Sequence, residues 1–162
     1  MNIFYLDKCP KKAAQLQYNK HVVKMILESA QMLCTTHRHF GNDDVPYKST
    51  HVNHPSTVWV RTNNRNYMWL YWHMIALGDE YTKRYNRKHL TITKCEDVLK
   101  KPPALLKDAL YGDPIDMPQC MPDEYKDKCS IQAYWNYYIG EKHVVANPKK
   151  EKIYEQRINK PN

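Results

Sequence analysis

The chain has 162 residues, enough for one domain with a sizeable core. Lys and Arg number 25 against 17 Asp and Glu, a net charge of +8 that favours nucleic acid, an anionic membrane surface or an acidic protein as partner. No run of about 18 apolar residues occurs, which excludes a membrane-spanning helix, and the opening residues do not read as a secretory signal.

The five cysteines, Cys9, Cys34, Cys95, Cys120 and Cys129, are odd in number, spread along the chain and form no CxxC pair. They read as reduced thiols, so the expected location is cytoplasmic. Thirteen Tyr and four Trp against two Phe is a balance suited to wet, stacking surfaces as well as to core and rim packing.

In chain order, Ile3–Leu6 is a short apolar run, read as a strand or as an extended N-terminal arm under the core. Pro10 suits the first turn of a short helix, Pro10–Gln17. Asn19 is placed to cap a long helix, in which Val22, Val23, Met25, Ile26, Leu27, Ala30, Met32 and Leu33 recur at helical spacing up to Thr36. Residues 37–55 read as a polar loop. Ser56 is a candidate cap for a long helical segment, Thr57–Tyr85, with a restart at Thr62 after a kink. A shorter helix is expected over Ile92–Lys100, stopped by Pro102 and Pro103, with a turn over Ala104–Leu110. Residues 112–128 carry Pro114, Pro118 and Pro122 and read as an irregular crossing. Ser130 is a candidate cap for a last helix, Ile131–Tyr138, closed by Gly140. The expectation is a mainly α, single compact helical domain over residues 1–145 with a short N-terminal extended segment, followed by a basic tail, 146–162.

On the long helix His21, Lys24 and Glu28 stand at i, i+3 and i+7. Seven residues turn through about 700°, roughly 20° short of two full turns, so the three share one face. Their neighbours are mostly apolar, which puts the stripe at a rim or lining a cleft. A glutamate there is partly desolvated, which raises its pKa and suits it to proton transfer, with Lys24 holding it ionised or holding a phosphate. A solvated helix face with a Lys–Glu pair at i, i+4 accounts for the same spacing.

The His21–Glu28 spacing behind a short N-terminal segment resembles the N-terminal part of the pyrimidine-dimer DNA glycosylases of the phage endonuclease V type. Near the C-terminus Tyr134-Trp135-Asn136-Tyr137-Tyr138-Ile139-Gly140 resembles that family's aromatic run Trp-Tyr-Lys-Tyr-Tyr-Gly, with one residue inserted before the glycine. The two stretches come in the family's order and cover about a fifth of the chain. The resemblance implies a helical DNA glycosylase with AP-lyase activity that needs no cofactor or metal. It would act as a monomer on duplex DNA by flipping out a damaged or modified pyrimidine.

In the family an N-terminal α-amine attacks C1′ and the glutamate assists. Carried over, this makes Glu28 and His21 catalytic and offers three nucleophiles: the Met1 amine, Lys24 desolvated beside Glu28, or a water activated by Glu28. Met1 enters because methionine removal is poor before Asn2. The family's arginines beside the glutamate are replaced here by Leu27 and Gln31. The expected DNA-contacting set is therefore Asn2, Lys20, Arg38, Arg61, Asn64 and Arg65, with Tyr134, Trp135, Tyr137 and Tyr138, some of them at a surface for stacking on a splayed base. Two rival readings remain: a non-catalytic nucleic-acid-binding protein of the same fold, and a metal-dependent nuclease built on the His-rich loop of His51 and His54 near Cys34, His37 and His39.

Overall fold

The computed structural model describes residues 1–109 and 116–142. Among them the secondary structure is helical, in six α-helices: α1 Pro10–Gln15, α2 Asn19–His39, α3 Pro55–Val60, α4 Asn64–Tyr85, α5 Leu90–Cys95 and α6 Ser130–Tyr137. A 3-10 turn, Asp123–Tyr125, precedes α6, and one π-helical turn, Tyr138–Lys142, continues it. The expected tail, 146–162, lies outside the described residues. Among the described residues no helix is long and apolar enough to cross a membrane.

The core is the α2–α4 pair, with α1 laid on α4. The apolar stripe of α2 supplies Val22, Met25, Ile26, Ala30, Met32 and Leu33, all buried, and α4 answers with Tyr67, Leu70, Met74 and Leu77. Arg84 ties the two together at one end: its guanidinium donates to Gln15 O at 3.1 Å, Gln17 O at 2.8 Å and Asn19 Oδ1 at 3.0 Å, and pairs with Glu80 at 3.0 Å. The free carbonyls of the α1–α2 turn are satisfied in this way by a charged donor.

Several boundaries differ from expectation for identifiable reasons. Asn19 is not the cap of α2. Tyr18 is, and Asn19 is the first helical residue, its side chain taken by Arg84. The segment expected over Thr57–Tyr85 breaks completely at residues 61–63, because Asn63 caps α4 by accepting the Asn66 N–H at 3.0 Å. His54, not Ser56, caps α3 through Nδ1. Helix α5 stops at Cys95 instead of Lys100: the Tyr71 hydroxyl takes Glu96 O at 2.8 Å and the Tyr67 hydroxyl takes Leu99 O at 2.9 Å, so α4 captures carbonyls that a longer helix would use. Cys129 caps α6, while Ser130 is the first helical residue and donates to Met117 O at 2.8 Å. Gly140 does not close the helix; it lies inside the π turn.

The first eight residues form a non-helical arm, buried over residues 3–6, with no strand partner among the described residues. Its polar groups are satisfied by side chains from distant elements instead. Gln17 Nε2 donates to Ile3 O at 3.4 Å, Trp135 Nε1 to Leu6 O at 3.0 Å, and Trp69 Nε1 to Lys8 O at 2.7 Å. The arm bends sharply at Phe4, whose φ of 51° is uncommon for an aromatic residue. That bend turns the Phe4 ring onto His21.

Candidate functional site

Where the arm passes between α2 and the α6–π segment it leaves a cavity of about 370 Å³. Its walls include Met1, Asn2 and Phe4 from the arm, Lys20, His21, Lys24 and Glu28 from α2, and Cys120, Tyr137 and Lys142 from the C-terminal side. The polar stripe read from the spacing is therefore a single wall of one cavity.

Glu28 stands at the middle of that wall with its side chain 13 % exposed. One oxygen accepts the Asn2 backbone N–H at 3.2 Å and the other meets Lys24 Nζ at 3.1 Å. Asn2 is held for this contact at both ends of its side chain: Nδ2 donates to Cys120 O at 3.0 Å, and Oδ1 accepts from Ile3 N at 2.8 Å. Met1 is fixed by its sulfur, 3.8 Å from the Thr57 hydroxyl, and its α-amine bears on His54. Burial, with that amine and His51, lowers His54, while Glu28 opposes. Lys24 differs from expectation. Its side chain is 65 % exposed, because the 24 position looks outward past the rim, so the desolvation expected of it is missing.

His21 is buried and tightly framed. The Phe4 ring stacks on it, centroids 4.6 Å apart and planes at 25°. Nδ1 lies 2.7 Å from the Tyr138 hydroxyl, which also accepts the Tyr18 N–H at 2.7 Å. Burial pushes its pKa down to about 4, and Lys142, Lys24 and Lys20 add to the shift. At neutral pH His21 is therefore an uncharged imidazole.

The expected DNA-contacting residues separate into two sets. Asn2, Lys20 and Tyr137 line the cavity. The others do not. Arg38 lies ten residues beyond Glu28 on α2, about 15 Å along the axis at 1.5 Å per residue. It staples the following loop, pairing with Asp43 at 2.7 Å and donating to Tyr47 O at 2.9 Å and Val45 O at 3.2 Å. Arg61 donates to Val52 O. Asn64 binds Asp108 and accepts from Ala109 N at 3.0 Å, pinning the segment after the Pro102–Pro103 turn. Arg65 is half-buried on the first turn of α4.

The aromatic run is a correction. Surface stacking was expected of some of its members, but Tyr134, Tyr137 and Tyr138 are buried and Trp135 is half-buried. Tyr134 donates to Pro118 O at 2.8 Å, Trp135 to Leu6 O, and Tyr138 is engaged with Tyr18 and His21. The helix is enclosed by the arm on one side and residues 116–125 on the other, so its rings are packed between them instead of presenting a stacking face. Tyr137 alone of the four reaches the cavity, with Lys142 Nζ 4.5 Å above its ring.

Phe4, Cys120 and Lys142 belong to the site and were not singled out from the sequence. Phe4 sat in an apolar run, and Lys142 opened a lysine-rich stretch in which no single lysine stood out. Cys120 had no partner motif; in the fold its carbonyl holds Asn2 and its thiol lies 3.4 Å from the Ser56 hydroxyl. The His-rich loop does not converge. Among the described residues no group of three or more His, Cys, Asp or Glu is placed to share a metal ion. His37 instead bridges Tyr67 Oη at 2.8 Å and Asn42 at 3.1 Å, and all five cysteines are free thiols.

Comparison with family models, curated proteins and solved structures gives no match for this chain.

Proposed function

We propose that the protein is a DNA glycosylase with AP-lyase activity, acting on a damaged or modified pyrimidine flipped into the Glu28 cavity. The observation that carries this reading is the meeting of a part-buried carboxylate with the start of the chain: Glu28 lies 3.2 Å from Asn2 N, in a cavity that Met1 also lines. Amine chemistry at a sugar carbon needs such a pair, a nucleophilic nitrogen and a base that takes its protons. The ordered resemblance of the α2 stripe and the aromatic run to the phage endonuclease V type supports it, as does the net charge of +8.

In this scheme the amine lone pair bonds to C1′ while the C1′–N bond to the base breaks. The base leaves with that electron pair and takes up a proton. Opening of the sugar ring gives an imine at C1′. Glu28 accepts the proton lost by the amine and returns it to O4′ as the ring opens; ionised again, it takes a proton from C2′, and β-elimination breaks the C3′–O bond to expel the 3′ phosphate. The Met1 amine is the preferred nucleophile. Lys24 ranks below it, since its side chain is exposed and its Nζ is engaged by Glu28 at 3.1 Å. Water activated by Glu28 gives base release without a nick. Lys20, Lys24 and Lys142 at the cavity supply positive charge for the flanking phosphates.

The test is borohydride reduction during incubation with duplex DNA carrying a lesion panel, followed by intact-mass and peptide mapping. A covalent adduct at the N-terminal amine is the expected result; mapping distinguishes Met1 from Asn2 in chains that lack Met1. An adduct on Lys24 would replace the nucleophile and keep the activity. Base release abolished by EDTA, or binding with no base release on any substrate, would overturn the reading.

A further inference from the structure

Two of the five free thiols meet inside the fold. Cys34 lies in the second half of α2 and Cys95 is the last residue of α5, and both are fully buried. Though far apart in the chain, their side chains are in hydrogen-bond contact, the Cys95 S–H donating to the Cys34 sulfur. The buried Tyr67 on α4 is close enough to feel both sulfurs. Tyr47 ties the same two helices together: its backbone N–H donates to Cys34, and its hydroxyl lies 3.0 Å from Thr91 Oγ1 on α5. The other thiols are placed differently. Cys120 lies 3.4 Å from the Ser56 hydroxyl, and Cys9 and Cys129 are exposed at the caps of α1 and α6.

Sulfurs in hydrogen-bond contact need only a small side-chain shift to bond to each other. The contact also divides the roles. The hydrogen bond from Cys95, with the Tyr47 N–H and the nearby Arg38, holds the Cys34 thiol below its ordinary value against the effect of burial. Sharing its proton with Cys34, together with burial, pushes the Cys95 thiol up. Cys34 is therefore the attacking sulfur and Cys95 the resolving one. The way in is short. Lys94, Asp97 and Val98 around Cys95 are exposed, and Cys95 ends a helix of six residues, so fraying of that end uncovers its sulfur.

We propose that Cys34 and Cys95 form a reversible dithiol–disulfide site that responds to hydroperoxides and, when oxidised, locks α5 onto α2. The Cys34 thiolate attacks one oxygen of hydrogen peroxide and the O–O bond breaks. The departing hydroxide takes up the proton that Cys34 gave and leaves as water, and Cys34 is left as a sulfenic acid. The Cys95 sulfur then attacks the Cys34 sulfur, the S–O bond breaks, and the hydroxyl leaves as a second water with the Cys95 proton. Both sulfurs are oxidised, and one peroxide is reduced to two waters. A small thiol reverses the bond by exchange. The bond closes residues 35–94 into a loop and so restricts the unfolded chain. Neither cysteine lines the Glu28 cavity, so the proposal stands apart from the glycosylase reading.

The test is hydrogen peroxide treatment of the full-length protein, then alkylation in denaturant and peptide mapping without reduction. It is run on the wild type and on the variant Cys9→Ser/Cys120→Ser/Cys129→Ser, which can form no other intramolecular pair. The expected product is a monomer lighter by two hydrogens, with a Cys34–Cys95 linked peptide and with both thiols restored by dithiothreitol. Its melting temperature should rise by about 5 °C or more over the reduced form. If Cys34 and Cys95 are still alkylated after a dose that oxidises Cys9 and Cys129 in the wild type, the proposal fails. A wild-type link between other cysteines in its place, or a Cys34–Cys95 bond that lowers the melting temperature or leaves it unchanged, would also overturn it. Should the triple variant fail to fold, the wild-type map and melting curve decide on the same criteria.

Discussion

His73 and His21 are both buried, both hydrogen-bonded at a ring nitrogen and both pushed down to about 4 by burial. They differ in what surrounds the second nitrogen. His73 is held on both sides, by Pro10 O at 2.9 Å and the Gln17 amide at 3.0 Å, with Trp69 stacked on its face. Every polar atom of the ring is spent on joining α1 to α4. Among the described residues His21 has a hydrogen bond at Nδ1 only, and it lines the cavity that Glu28 and the arm enclose. Two histidines lowered alike by burial thus occupy different places, one inside the α1–α4 contact and one at a cavity wall. What separates them is geometry at one nitrogen, which neither burial nor pKa reports.

Acid is the broadest test of what they share. In the unfolded chain both histidines titrate near 6.5, and in the fold near 4, so the unfolded state binds more protons between those values. Stability is complete above about pH 6.5 and is lost as the pH falls toward 4; at about 1.4 kcal/mol per unit, each histidine removes up to about 3 kcal/mol. Denaturant midpoints should be flat above that window and decline within it. His37, also lowered by burial, adds in the same direction. A flat profile down to pH 4 would mean that the buried imidazoles are not held neutral.

Substitution separates the pair. His73→Ala leaves a void, and it leaves Gln17 Nε2 with only the longer 3.4 Å bond to Ile3 O, beside an Oε1 that has no partner among the described residues. The expected cost is about 3 kcal/mol, a fall of roughly 6–12 °C in Tm. His21→Gln keeps a polar side chain at the cavity wall, so its cost should stay below about 1.5 kcal/mol while base release falls at least tenfold. Equal melting losses in the two variants would erase the distinction. Lys24→Met sits at the small end. It removes an i, i+4 pair whose lysine is exposed and whose carboxylate still accepts the Asn2 N–H, should change stability by about 1 kcal/mol or less, and should lower the salt slope of DNA binding by about 1.

The two regions were also unequally legible in the sequence. The face shared by His21, Lys24 and Glu28 followed from helical period alone, because α2 is long and regular and a helix fixes side-chain direction. The arm was readable as extended, but its partners were not: its carbonyls are met from residues 14 to 129 positions away, and no local pattern encodes that. The aromatic run misled for the same reason. Its period predicts which rings share a face, whereas their burial depends on the arm and on residues 116–125 closing over both sides. Arg38, Arg61 and Asn64 looked like phosphate ligands by type; loop carbonyls and Asp108 claim them instead. His73 was invisible as a rivet, since Pro10 and Gln17 meet it only once α1 has docked on α4.

The most direct measurement is base release from ultraviolet-irradiated duplex DNA by the wild-type protein and by Glu28→Gln, both in EDTA and with melting curves recorded alongside. Glu28 is a part-buried carboxylate whose near-isosteric amide keeps one acceptor oxygen, for either the Asn2 N–H or Lys24, but cannot take a proton. A glycosylase that works through Glu28 shows metal-independent release in the wild type and a loss of about 10²–10⁴-fold in the variant, at an unchanged Tm. Release that survives the substitution intact, or that disappears in EDTA, would contradict it.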